Sequence, residues 1–264
     1  MSADTGNQEA DLVHGMRGGI PNDRMERIHA GLPRSIELRN LNSCLENPLV
    51  ALGSGPTKVH GHVRLYQGWH LLNEARIALI EADACKLFYE ECQPNPIEAI
   101  YRCRFYLDDA ALRLYSSCEH LLQSVNLYWG LGVPIKSRGL FAKVIAEAEK
   151  SNLPELSADV ATGLRGLGPD WEACKKYRND WVHNERPGIA GLERELSFGP
   201  RNAQDIPPAI VKAIKDSGHL LSVTGSGKSV SVRGGLEINE LRRIVRNAYC
   251  QLLGVYERLA PLLD

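Results

Sequence analysis

Four residues, Gln93-Pro94-Asn95-Pro96, separate two long apolar repeats and thereby dictate how the chain can be laid out. Upstream, Val63, Tyr66, Trp69, Leu72, Ile77, Ile80, Ala84, Leu87 and Phe88 recur at steps of mostly three or four, with no proline among them. That spacing marks one face of an α-helix and predicts a single helix over 63–89. Downstream, Ile100, Phe105, Leu112, Tyr115, Leu122, Val125 and Trp129 predict a second helix over 97–131, about 50 Å long at about 1.5 Å per residue. Proline disfavours helix in the residue before it and suits the first turn after it, so the chain must stop and restart here. So short a join leaves the two helices antiparallel.

The remaining chain fits around this pair. Residues 1–58 are polar and rich in turn formers, an expected loosely ordered arm with one short helix over 22–32 (Met25, Ile28, Leu32) and Gly-Ser-Gly-Pro punctuation at 53–56. The helical domain is expected over 59–264. Gly130, Gly132 and Pro134 end the second helix; a shorter one follows over 137–150, and a poorer one lies between Pro154 and Arg165. Asp170 is a plausible N-cap for a helix over 171–185, stopped by Pro187-Gly188. Residues 186–235 read as an insertion: irregular to 204, a short helix over 205–216, then a small β-hairpin over 219–233. Asn239 would cap a last helix with Leu241, Ile244, Val245, Ala248, Leu252, Val255 and Leu259 on its apolar face. The expected fold is mostly α, a helical bundle with two long antiparallel helices plus a small β-hairpin insertion.

Composition excludes several classes. With 44% hydrophobic and 24% charged residues the chain is no disordered tail. Its 31 Lys and Arg against 32 Asp and Glu, net −1, give no global attraction for nucleic acid or an anionic membrane. The longest apolar runs are about four residues, far short of the roughly 20 that span a bilayer. The opening MSADTGNQEADLVHGMRGG resembles neither a secretory signal nor a transit peptide, so a cytoplasmic location is expected. Seven cysteines without a C-x-x-C fit free thiols in a reducing compartment. No Cys or His cluster has zinc spacing, and His60 and His62 read as a loop pair, so neither metal nor cofactor is expected.

Two motifs invite a chemical reading. Thr224-Gly225-Ser226-Gly227-Lys228-Ser229 looks like a phosphate loop, but Ser222 stands where glycine is required. The strand-like Val230-Ser231-Val232 also follows where a helix N-terminus must bind the anion, so the run reads as a hairpin turn. The segment Tyr177-Arg178-Asn179-Asp180-Trp181-Val182-His183-Asn184 is more informative. Asn179 and His183, four apart, share a helical face, while Arg178 lies about 140° around the helix from His183. An imidazole trades protons near neutral pH, and a guanidinium offers a planar fork of donors to a phosphate. Together they suit phosphodiester chemistry without metal. The plainer alternative is a surface helix with Cys174, Tyr177 and Trp181 as its core stripe and Arg178 paired to a neighbouring acid.

The segment YRNDWVHN resembles the R-x(4-6)-H signature of the HEPN superfamily, the higher eukaryote and prokaryote nucleotide-binding domains, including the polar residue directly after the arginine. The stretch from Phe105 to Leu131 is similar to the long helix that precedes this motif in bacterial members, so the resemblance covers about residues 60–186. It implies a bundle that often dimerises around paired motifs and, in many members, a metal-independent endoribonuclease, in settings such as stress or phage defence. It also implies RNA as substrate and, in some systems, an antitoxin-like protein partner. By the same resemblance, Arg178 would hold the scissile phosphate, His183 would act as general base or acid, and Asn179 would orient the phosphate or the imidazole. An acid from the long helix would position the arginine; Asp108, Asp109 and Glu119 are candidates, with Glu119 preferred and Asp109 better placed to pair with Arg113. A non-catalytic binding or dimerisation module is the alternative. The motif helix is only mildly basic: Lys175, Lys176, Arg178 and Arg186 against Glu172, Asp180 and Glu185.

Overall fold

The computed structural model describes residues 20–34, 56–92, 94–135, 137, 139–151, 164, 167–183, 189, 219–223, 230–234 and 236–263. The protein is mostly helical. Six helices are described: α1 (Asn22–Ala30), α2 (Pro56–Leu87), α3 (Pro96–Tyr128), α4 (Leu140–Lys150), α5 (Pro169–His183) and α6 (Ile238–Leu263). Two short segments, β1 (His219–Val223) and β2 (Val230–Gly234), pair antiparallel with His219 opposite Gly234. The Gly-Ser-Gly-Lys run between them, the candidate helix over 205–216 and all but Leu164 of the candidate helix between Pro154 and Arg165 lie outside the described residues.

The long helices α2 and α3 pack antiparallel, and their cross-links run in opposite directions along the two chains. Ser124 Oγ donates to the Gly61 carbonyl at 2.7 Å, Ser117 Oγ to the Gly68 carbonyl at 2.7 Å, and Arg113 pairs with Glu74. Two glycines on α2 permit this approach. A Cβ on Gly68 would collide with the Tyr256 hydroxyl of α6 and stand 3.0 Å from the Ser117 carbonyl. Tyr256 closes the three-helix contact, donating to the Ser117 carbonyl at 3.0 Å while fully buried.

α2 is packed by α3, α6 and α1. Between Ala75 and Cys85 every residue except Ile77 is buried, so this stretch has no solvent face. Within it Asp83 meets Arg242 and lies 3.7 Å from Arg246, both on α6. Buried Arg76 donates Nε and Nη2 to the Leu32 carbonyl, each at 3.3 Å, satisfying chain that follows the end of α1. Tyr249 donates to the Pro33 carbonyl at 2.6 Å. Residues 20–34 of the expected arm are therefore seated on α2 and α6, with Ile20, Met25 and Leu32 in the core; the rest of it up to 55 lies outside the described residues.

Element boundaries shift where capping chemistry overrides periodicity. α2 starts at Pro56 rather than Val63, because proline suits a first helical turn and the helix reads through Gly61. His60 and His62 are thus on a helix rather than in a loop, and two residues apart they point in different directions. α2 ends in a π turn, Phe88–Cys92. α3 begins as expected, with the Asn95 side chain accepting from Glu98 N at 3.1 Å, but stops at Tyr128, where Gly130 at φ 63° turns the chain. α4 begins only at Leu140, after Gly139 at φ 72°. α6 begins at Ile238, which places Asn239 inside the first turn rather than at the cap. Phe105 was expected in the core and is 59% exposed, because α2 instead covers the line through Ala99, Cys103, Leu107, Ala110 and Leu114.

Candidate functional site

The motif helix α5 is seated from two sides. Trp171, Cys174 and Tyr177 form its buried face, while Trp181 is only partly covered. Its first turn is capped from α6: Gln251 Oε1 accepts from Gly168 N and Trp171 N, both at 3.1 Å. The expected N-cap, Asp170, does something else. Its carboxylate receives Arg243 Nη1 at 3.0 Å and Asn247 Nδ2 at 2.8 Å, tying α5 to α6. Farther along, the Tyr177 hydroxyl donates to Asp108 of α3, which also lies 3.8 Å from Arg104 Nε. Burial, then the Asp108 carboxylate, pushes the Tyr177 phenol well above its ordinary range.

Arg178 lies on the flank of this face. Its guanidinium carbon is 4.1 Å from the centre of the Tyr115 ring on α3, a cation–π contact, and Nη1 donates to Asn179 Oδ1 at 3.0 Å. Among the described residues no carboxylate pairs with it, and its buried Nε finds no acceptor. Burial and the neighbouring Glu119 raise the Tyr115 phenol, with Arg178 acting in the opposite direction. Glu119 and Arg178 therefore flank one tyrosine, Glu119 one turn along α3 from it. Tyr115 and Glu119 line a cavity of about 610 Å³ between α3, the chain leading into α4, and α5. Phe141, Trp171, Lys175 and Ser137 complete its working surface. The Lys175 ammonium stands 6.0 Å from the Phe141 ring centre and 3.3 Å from Glu172.

Of the residues nominated from sequence, Glu119 lines the cavity, Arg178 rests on the ring of the lining residue Tyr115, and Asn179 accepts from Arg178. His183 does not line the cavity: it is exposed, at the last position of α5, about 7.5 Å farther along the axis than Arg178 at about 1.5 Å per residue. Asp109 pairs with Arg113 at 2.7 Å, and Asp108 serves Tyr177 and Arg104. Sequence reasoning passed over Tyr115 as a core residue, and nothing in its spacing separates a buried ring from one that carries a guanidinium. Lys175 reads in the sequence only as one more positive charge on the motif helix. Cys118 and Cys174 are free and buried, and burial pushes both thiols up, which disfavours the thiolate. Among the described residues no group of three His, Cys, Asp or Glu side chains could hold a metal, and no helix is long and apolar enough to cross a membrane.

No curated protein and no solved structure matches the chain. One family model does: the Cthe2314-like HEPN family matches residues 73–197, from the middle of α2 through α5. With that match over the second half of α2, all of α3 and the Arg178–His183 motif, residues 73–197 of the chain are a HEPN domain.

Proposed function

We propose that this protein is a metal-independent endoribonuclease that cuts RNA by attack of a ribose 2′-hydroxyl on the adjacent phosphate. One observation carries the reading: Arg178 is a half-buried cation faced by an aromatic ring, with a buried Nε lacking an acceptor among the described residues. A buried charge without an opposite charge is costly, and an anion at that point relieves the cost. A phosphodiester supplies the anion, and its transition state, with more charge on the equatorial oxygens, binds the fork more tightly still.

In this mechanism His183 takes the proton from the 2′-hydroxyl as its oxygen bonds to phosphorus. The bond from phosphorus to O5′ breaks, and O5′ receives a proton from an imidazolium. The products are a 2′,3′-cyclic phosphate and a free 5′-hydroxyl. Asn179 fixes one edge of the guanidinium, and Glu119 acts as a positioning residue through Tyr115. Because Arg178 and His183 project from different sides of α5, we place the working site between two copies, each copy's histidine serving the phosphate held near the other's arginine. A role in stress or phage defence, and control by an antitoxin-like partner, belong to the same proposal.

Purified full-length protein should cleave mixed-sequence RNA in the presence of EDTA. Arg178→Ala and His183→Ala should each lower the rate by at least about 100-fold with thermal midpoints close to wild type. Cleavage that survives both substitutions overturns the reading. One feature favours the second reading, a non-catalytic assembly module: Ile97, Tyr101 and Phe105 on α3 are 67%, 57% and 59% exposed at four-residue spacing. Inactive protein that still dimerises through this stripe would establish it.

A further inference from the structure

The cavity beside Arg178 contains more chemistry than phosphate binding uses. Ser137 Oγ is buried there without a hydrogen-bond partner among the described residues. Glu119 is the carboxylate on the wall and Lys175 its ammonium, which pairs with Glu172 at 3.3 Å rather than with Glu119. Phe141, Trp171 and Tyr115 supply aromatic surface, and the volume of about 610 Å³ admits a planar heterocycle with its sugar.

We infer that this cavity is a nucleobase subsite that selects guanine, seating the nucleotide whose 3′-phosphate lies at Arg178; the inference rests on the ribonuclease reading above. The choice of base follows from donor and acceptor order. A carboxylate accepts two adjacent N–H groups, and an ammonium beside it donates to a carbonyl. Guanine alone among the four RNA bases presents that series along one edge: O6 as acceptor, then N1–H and N2–H as neighbouring donors. Adenine and cytosine each offer a single amino donor next to a ring nitrogen, and uracil offers one N–H between two carbonyls, so each forfeits at least one bond to Glu119. The aromatic walls hold any base by stacking and leave discrimination to Glu119 and Lys175. Arg178, resting on the Tyr115 ring, is then within one nucleotide's reach of the seated base. Cleavage therefore falls on the 3′ side of guanosine, leaving guanosine 2′,3′-cyclic phosphate at the new end.

The test is equilibrium binding of 3′-GMP, 3′-AMP, 3′-CMP and 3′-UMP to the full-length protein by calorimetry. 3′-GMP should bind at least about tenfold more tightly than the other three, the worth of one further hydrogen bond. Glu119→Gln, which keeps shape but loses an acceptor, should erase the preference while leaving stacking affinity for all four. Lys175→Met should weaken 3′-GMP selectively, and it serves as the independent variant if Glu119→Gln does not fold. Equal binding of all four nucleotides, no binding at millimolar concentration, or a guanine preference that survives both substitutions overturns the inference. The two proposals fail separately. Guanine-selective binding without RNA cleavage leaves the subsite and removes the nuclease, whereas EDTA-resistant cleavage with no base preference in binding or at the cut ends does the reverse.

Discussion

At the scale of single residues, the contrast between Asp108 and Glu119 is instructive. Both are acids on α3, yet Asp108 is 3% exposed and holds the Tyr177 hydroxyl and Arg104, whereas Glu119 lies on a cavity wall. Asp108 is the structural carboxylate: it fixes α5 against α3 and so sets where Arg178 starts. Tyr177→Phe should therefore cost about 1–3 kcal/mol, the penalty for leaving a buried acceptor short of a donor. Urea unfolding monitored by circular dichroism measures this, and the nucleotide preference of the folded variant should be unchanged. The sequence singled out both acids together with Asp109, since helical spacing says which acids share a face and is silent on what covers that face. Spacing reaches the pairs within the helix, Asp109 with Arg113 and Asp108 with Arg104, but not the Tyr177 hydroxyl that Asp108 accepts from another helix.

At the scale of elements, the long helices were legible because their signal is local: an apolar recurrence over many residues, broken by two prolines and closed by glycines. Their ends were less so. Pro56 extends α2 by two turns across the expected edge of the domain, and it is a backbone preference rather than an apolar pattern that places it. The faces were least legible. Phe105 belongs to the apolar recurrence of α3 and still points outward, because small residues let α2 approach α3 along a different line. Gly68 is the clearest instance of that approach. Gly68→Ala should destabilise the protein by about 2 kcal/mol despite the better helix propensity of alanine, since the added methyl must displace the Tyr256 hydroxyl. Thermal unfolding decides the sign: a stabilised Gly68→Ala would show that the three-helix contact is loose. Asp170 fails for a related reason, as a residue 81 positions away, Gln251, supplies the cap that local sequence assigned to it.

At the scale of the whole molecule, the stripe of Ile97, Tyr101 and Phe105 bears on assembly. Glu98 and Arg102 pair beside it at 2.5 Å, so the surface carries both signs of charge and can face a second copy of itself across a two-fold axis. If the copies meet there, Phe105→Lys should shift the protein from dimer to monomer in sedimentation velocity with its helical content intact. An unaltered mass would move the dimer contact elsewhere on the bundle.

The part of the chain that carries the ancestry is smaller than the part that must fold. Residues 73–197 exclude α6, yet α6 contributes the amide of Gln251 to the opening of α5, and Arg243 and Asn247 to Asp170. Evolution can thus tune the motif from outside it: substitutions in the closing helix, remote from any phosphate, alter the register and steadiness with which Arg178 is presented.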